Sequence, residues 1–193
     1  MELSAALHKF VNAFQRSEMS IGKVEYTPAA PAPQSSMPLE GVLADYYKFL
    51  YVDTHAHVGG LFHFSLYAPA DLLRLQYGWH WIKNENGETI EDPHWPRQWV
   101  VIADRNGDAI FVDTSTGAVH GSIQKQNMLL TDDLSQFFDV IAEGMSIEMD
   151  KYHFEAEDDD ANITQEFLDD VHSLLQPRLG AVKSKNFYEF FFG

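Results

Sequence analysis

The sequence predicts an α+β fold in which helices flank an antiparallel sheet of about five to six strands. Three observations carry that expectation. Apolar, β-branched runs at 98–104 and 108–114 flank Arg105-Asn106-Gly107, a hairpin signal, because Asn and Gly both tolerate the positive φ of a tight turn. Apolar residues at helical spacing occur before and after this region. Strands and helices do not alternate in the βαβ manner of a parallel sheet.

Taken in order, Leu3, Leu7, Phe10, Val11 and Phe14 share one face of a helix over 3–18. The stretch TPAAPAPQSSMP (27–38) cannot continue a helix and reads as an extended linker. Leu39, Val42, Leu43, Tyr46, Phe49 and Leu50 mark a second helix with Pro38 in its first turn. YVDTHAHVGG (51–60) reads as a polar loop ending in a Gly-Gly turn. LFHFSLY (61–67) follows as a strand, and Pro69 and Gly78 bound a short helix. A small hairpin is expected around Asn86-Gly87, and a strand at 118–123 completes a three-stranded meander after the Thr116-Gly117 turn. Thr131 is the expected N-cap of a helix carrying Leu134, Phe137, Phe138, Ile141 and Met145. A last helix is expected from Asn162, with Gln165 completing a capping box and Pro177 as its end. NFYEFFF (186–192) is expected to be a buried terminal strand.

Composition narrows the chemistry. The 193 residues include no cysteine, which removes disulfides and thiolate metal sites and fits a reducing compartment; a cytoplasmic location is the expectation. The first residues have neither a basic n-region nor an apolar h-region, so no secretory signal is expected, and no apolar run is long enough for a membrane span. A net charge of −16 repels nucleic acid and anionic lipid and favours a basic partner. Half of that charge lies between Asp150 and Asp170, where nine acids face one base, Lys151. Such a run is ordinarily a solvated face; the sharper reading makes it a docking surface.

Asp53-Thr54-His55-Ala56-His57 has the spelling of the metal-binding strand of amidohydrolase barrels. The barrel itself needs about 250 residues and further ligands at later strand ends, which this chain does not offer. His55 and His57, with Asp53 or His63, therefore remain as metal-ligating candidates, and no cofactor is expected. Asp104, Asn106 and Asp108 imitate the start of a calcium loop, but Ala109 and Ser115 stand where that loop needs Gly and a bidentate Glu. No phosphate loop, nucleophile elbow or His-Glu-x-x-His motif is present.

The segment Pro38–Met145 resembles the SUKH superfamily. The match runs through the helix LEGVLADYYKFL, the Gly59-Gly60 turn, the strand LFHFSLY, the short helix PADLLRL, an aromatic approach ending in Trp99, VVIADRNGDAIFVDTSTGAVH, and the helix LTDDLSQFFDVI. The longer DTHAHVGG and the segments outside the match depart from the family. The resemblance implies a single SUKH-like domain over 38–149, preceded by a helix and linker (1–37) and followed by an acidic extension (150–193). It also implies a non-enzymatic protein: a bacterial immunity protein that binds and blocks a toxin domain. The charge independently favours a basic target of nuclease type. A regulatory adaptor of the fungal cell-wall type and a small metal-dependent hydrolase using Asp53, His55 and His57 stay as alternatives. Candidate partner-binding residues are Trp95, Trp99, Glu155, Glu157, Asp158, Asp159 and Asp160. The oligomeric state is left open.

Overall fold

The computed structural model describes every residue except Ala29 and Ala32, which fall within the expected 27–38 linker, so that part of the expectation lies outside the described residues. The architecture is α+β. A six-stranded antiparallel sheet has the order β10-β9-β8-β7-β4-β3. It is built from β3 (His57–Val58), β4 (Phe64–Leu66), β7 (Trp99–Arg105), β8 (Asp108–Asp113), β9 (Val119–Ile123) and β10 (Gln126–Thr131). The expected meander is present: Val101, Phe111 and His120 stand side by side on β7, β8 and β9. Its first turn has Asn106 at φ 55° and Gly107 at φ 90°, so the Asn-Gly pair takes up the two left-handed positions. Two small two-stranded sheets stand apart, β1 (Val24–Tyr26) with β2 (Leu50–Val52), and β5 (Trp81–Lys83) with β6 (Thr89–Glu91) around Asn86-Gly87.

Helices α4 (Leu134–Asp150) and α5 (Gln165–Phe192) cover one face of the sheet, and α1 (Leu3–Arg16) packs on α4. Phe10 of α1 meets Phe138 of α4 at 4.8 Å between ring centroids, and Lys9 pairs with Asp139 and Glu143 across the same junction. Gly121 in β9 has no side chain because Phe190 of α5 lies against it; a Cβ there would come within 2.4 Å of that ring. His120 next to it points to the other face and stacks on Phe111 at 5.0 Å. That second face is covered by Trp95, Trp99 and the short α3 (Leu72–Leu75), which a 3-10 turn at Pro69–Asp71 introduces. Just after α3, the buried Gln76 amide accepts from Val101 N–H and donates to Val101 C=O, both at 2.9 Å. It thereby satisfies backbone groups beside an irregularity in β7 that would otherwise be orphaned.

Several expectations are corrected. The second helix, α2 (Gly41–Phe49), begins after Glu40, so Pro38 and Leu39 belong to the extended approach, from which Leu39 already packs on the core. DTHAHVGG is not wholly loop, since His57–Val58 pairs with β4, and β4 is shorter than the expected 61–67 strand. The helix α4 is capped by Asp133, which accepts from Gln136 N–H at 2.8 Å; Thr131 ends β10 instead. Asn162 does not cap α5, because its amide and side chain are spent on Asp158; Thr164 occupies the cap position. Pro177 does not end the helix either. The break comes at Gly180 (φ 73°, ψ 172°), and helix resumes through Phe192. The terminal aromatics are therefore helical, with Phe187, Phe190 and Phe191 buried at i, i+3 and i+4. Strand β10 had no sequence expectation at all. The residues of α1 and α5 belong to the same buried cluster as the sheet.

Candidate functional site

The acidic segment folds into an ordered turn between α4 and α5. Asp158 Oδ1 accepts from Asp160 N–H (3.0 Å), Asn162 N–H (2.9 Å) and the Asn162 side-chain amide (3.3 Å). Its own N–H donates to Asn162 C=O at 2.8 Å, and Glu157 bridges to Ile163. Ala156, 1% exposed, pins the base of the turn, where its carbonyl accepts from Thr164 N–H. The backbone donors of Asn162 and Asp160 hold the Asp158 carboxyl below the usual carboxylate range. Glu155, Glu157, Asp158, Asp159 and Asp160 are all exposed. Among the described residues, none of the five forms an ion pair. Lys151, the one base of the segment, is committed to Glu166 (3.1 Å) and Asp170 (2.6 Å). The turn thus presents exposed negative charge that no base offsets among the described residues.

The base of α4 adds a residue that sequence reasoning missed. Glu148 is 3% exposed, and both of its carboxylate oxygens face Leu61 N–H, at 2.9 and 3.1 Å. No base pairs with it among the described residues, and Gly60 approaches so closely that a Cβ would stand 2.5 Å from the carboxylate. Burial pushes its pKa up to about 7; the Leu61 N–H opposes the rise and the nearby Glu157 charge adds to it. Glu148 C=O also accepts from Phe154 N–H at 3.2 Å, so one residue touches both the Gly59-Gly60 turn and the entry to the acidic turn.

The other sequence candidates are dispersed. Asp53 Oδ1 accepts from His55 N–H at 3.0 Å in a local turn that leaves the His55 side chain exposed. His57 lies on β3, with Nδ1 3.1 Å from Ser65 Oγ on the neighbouring strand. Among the described residues, no group of three or more His, Asp or Glu is placed to hold a metal ion. Trp95 is buried, 5% exposed, and its Nε1–H donates to Trp99 C=O at 2.9 Å. Trp99 is half-buried and donates to Asp113 Oδ2 at 3.3 Å. Both indoles are occupied in closing the second face of the sheet, Trp99 presenting the more accessible edge. No helix is long and apolar enough to cross a membrane among the described residues. No protein-family model matches the chain, and neither curated proteins nor solved structures give a match.

Proposed function

We propose that the chain is a non-enzymatic binding protein that docks a basic protein partner, and that it acts in the cytoplasm as an immunity protein occluding a toxin domain. The observation that carries the docking is the ordered acidic turn: five exposed carboxylates on a backbone that the Asp158 hydrogen bonds order, none of them ion-paired among the described residues. A preorganised turn loses little conformational freedom on binding, and its field steers a cationic surface during encounter. The partner's chemistry follows: Lys and Arg clustered on one face, as on a domain that grips nucleic acid. The toxin assignment rests on the SUKH resemblance of Pro38–Met145.

The test looks for a toxin domain encoded beside this chain and measures its association with the parent and with a variant carrying Glu155→Gln, Glu157→Gln, Asp159→Asn and Asp160→Asn. Asp158 is kept because it holds the turn. The parent is expected to associate about tenfold more slowly when salt rises from 0.05 to 0.5 M, and the variant to lose most of that dependence with an unchanged thermal midpoint. Identical on-rates for parent and variant at low salt would remove the turn from the interface.

A further inference from the structure

Away from the acidic turn, the described residues between β1 and α2 line a cleft. The chain leaves the fold at Thr27, whose N–H donates to Phe49 C=O at 2.8 Å. It rejoins at Ser35 and Ser36, whose hydroxyls donate to Pro69 C=O at 3.1 and 3.3 Å, while Ser36 Oγ also accepts from Leu73 N–H at 2.9 Å. Between these anchors lies a cleft of about 530 Å³. That is the size of a small-molecule site, for which roughly 300–1,000 Å³ is usual. Tyr47, Leu50 and Val52 form its floor, Ala68 its wall, and Pro31 and Pro33 its roof. The floor is apolar because the Tyr47 hydroxyl is turned away to donate to Tyr67 C=O at 2.9 Å.

Two residues at the rim define what such a cleft would hold. Among the described residues, Asp53 is the only charged side chain lining it. One of its oxygens accepts from His55 N–H, and among the described residues no cation stands within ion-pair distance of it. Beside it, Tyr51 is 46% exposed and already carries an ammonium over its ring: Lys23 Nζ lies 5.3 Å from the centroid and pairs with Glu25 at 2.9 Å. A carboxylate next to an electron-rich ring attracts a cation and repels an anion, and the net charge of −16 acts in the same direction. From the apolar cleft roofed by Pro31 and Pro33, with Asp53 and Tyr51 at its mouth, we infer a binding site for a small organic ammonium with an apolar body. The ammonium meets the Asp53 carboxylate and takes the place beside the Tyr51 ring that Lys23 Nζ now holds, leaving Lys23 to Glu25; the body lies on Tyr47, Leu50 and Val52 beneath Pro31 and Pro33. The site shares no residue with the acidic turn, so it stands or falls independently of the docking proposal.

Three probes of one shape test it by calorimetric titration of the full chain: 4-phenylbutylammonium, 4-phenylbutanol and 4-phenylbutyrate. The ammonium is expected to bind about fivefold more tightly than the alcohol, the size of a partly exposed charge and cation–π contribution, and the carboxylate most weakly. Asp53→Asn keeps an acceptor for His55 N–H, so it should preserve the turn while reducing the ammonium to the affinity of the alcohol. Ala70→Trp, at an exposed position on the cleft wall, should abolish binding of both with the fold intact by circular dichroism. No binding of the ammonium at millimolar concentration would overturn the inference. So would equal affinities for ammonium and alcohol in the parent, or unchanged binding by a folded Ala70→Trp variant.

Discussion

Asp158 and Glu148 hold neighbouring parts of the molecule by the same device, a carboxylate accepting from backbone N–H, and they end with opposite chemistry. Asp158 is exposed, gathers hydrogen bonds from two backbone amides and one side-chain amide, and is held below the usual carboxylate range. Glu148 is buried, has a single N–H shared between its two oxygens, and is pushed up to about 7. Donor number and access to water decide the sign. Where water remains and donors are many, a carboxylate is a fixed charge available to a partner. Where water is excluded and one donor serves two oxygens, the same group favours its neutral form and couples the fold to pH.

The largest effect expected from breaking this contrast is at Gly60. A side chain there meets two obstacles at once: φ is +76°, and a Cβ would stand 2.5 to 2.8 Å from the Glu148 carboxylate. Gly60→Val is expected to destabilise by about 3 kcal/mol or more, measured by denaturant unfolding. In a Glu148→Ala background the steric part should vanish and only the backbone strain remain, so the double-mutant cycle should show a coupling of about 1 kcal/mol or more. Additive losses would mean that the carboxylate and the turn are not in contact.

The next effect is a pH dependence. The native fold holds the Glu148 proton up to about pH 7, while the unfolded chain releases it near 4.5. Between those values the native state binds more protons than the unfolded one, so stability from this group is full below about 4.5 and falls as pH rises towards about 7. The difference is on the order of 2–3 kcal/mol. Glu148→Gln cannot ionise, so its stability relative to the parent should improve by that amount between pH 4.5 and pH 8. Comparing parent and variant at each pH cancels the titration of every other acid. A constant difference across the range would show that Glu148 ionises as freely in the fold as in the unfolded chain.

The contrast also separates what a sequence displays from what it conceals. The Asn106-Gly107 hairpin is legible because the turn chemistry and both apolar strands are adjacent in the chain. The next hairpin is not: Gln124 (φ 50°) and Lys125 (φ 66°) hold left-handed positions that their side chains do not advertise, so β10 goes unseen. NFYEFFF misleads because an almost continuous aromatic run fits strand and buried helix alike. Burial of Phe187, Phe190 and Phe191, with Asn186 donating to Leu129 C=O at 2.9 Å, shows that α5 lies along β10. The acidic turn is visible as composition, but its order depends on Asp158 and Asn162 closing on each other. Glu148 gives no signal, because its partner Leu61 is 87 positions away and nothing local marks a glutamate in an amphipathic helix as buried.

The smallest effect on stability belongs to Asp158, and it sharpens the comparison. The side chain is exposed, so Asp158→Ala leaves its former donors to water and the thermal midpoint should stay where it is. The loss should be local. Amides of Asp160 and Asn162, both bonded to Asp158 Oδ1, should exchange with deuterium about tenfold faster in the alanine variant, because closing the turn no longer protects them. Asp158→Asn keeps an oxygen in the same place and should retain most of that protection while removing one charge. If the turn matters to docking through its shape, the alanine variant loses on-rate and the asparagine variant largely keeps it. If only the charge of Asp158 matters, the two lose equally. Measuring exchange and association on both variants separates a carboxylate that builds the turn from one that merely decorates it. Unchanged exchange in Asp158→Ala would show that the backbone bond between Asp158 and Asn162 suffices to order the segment.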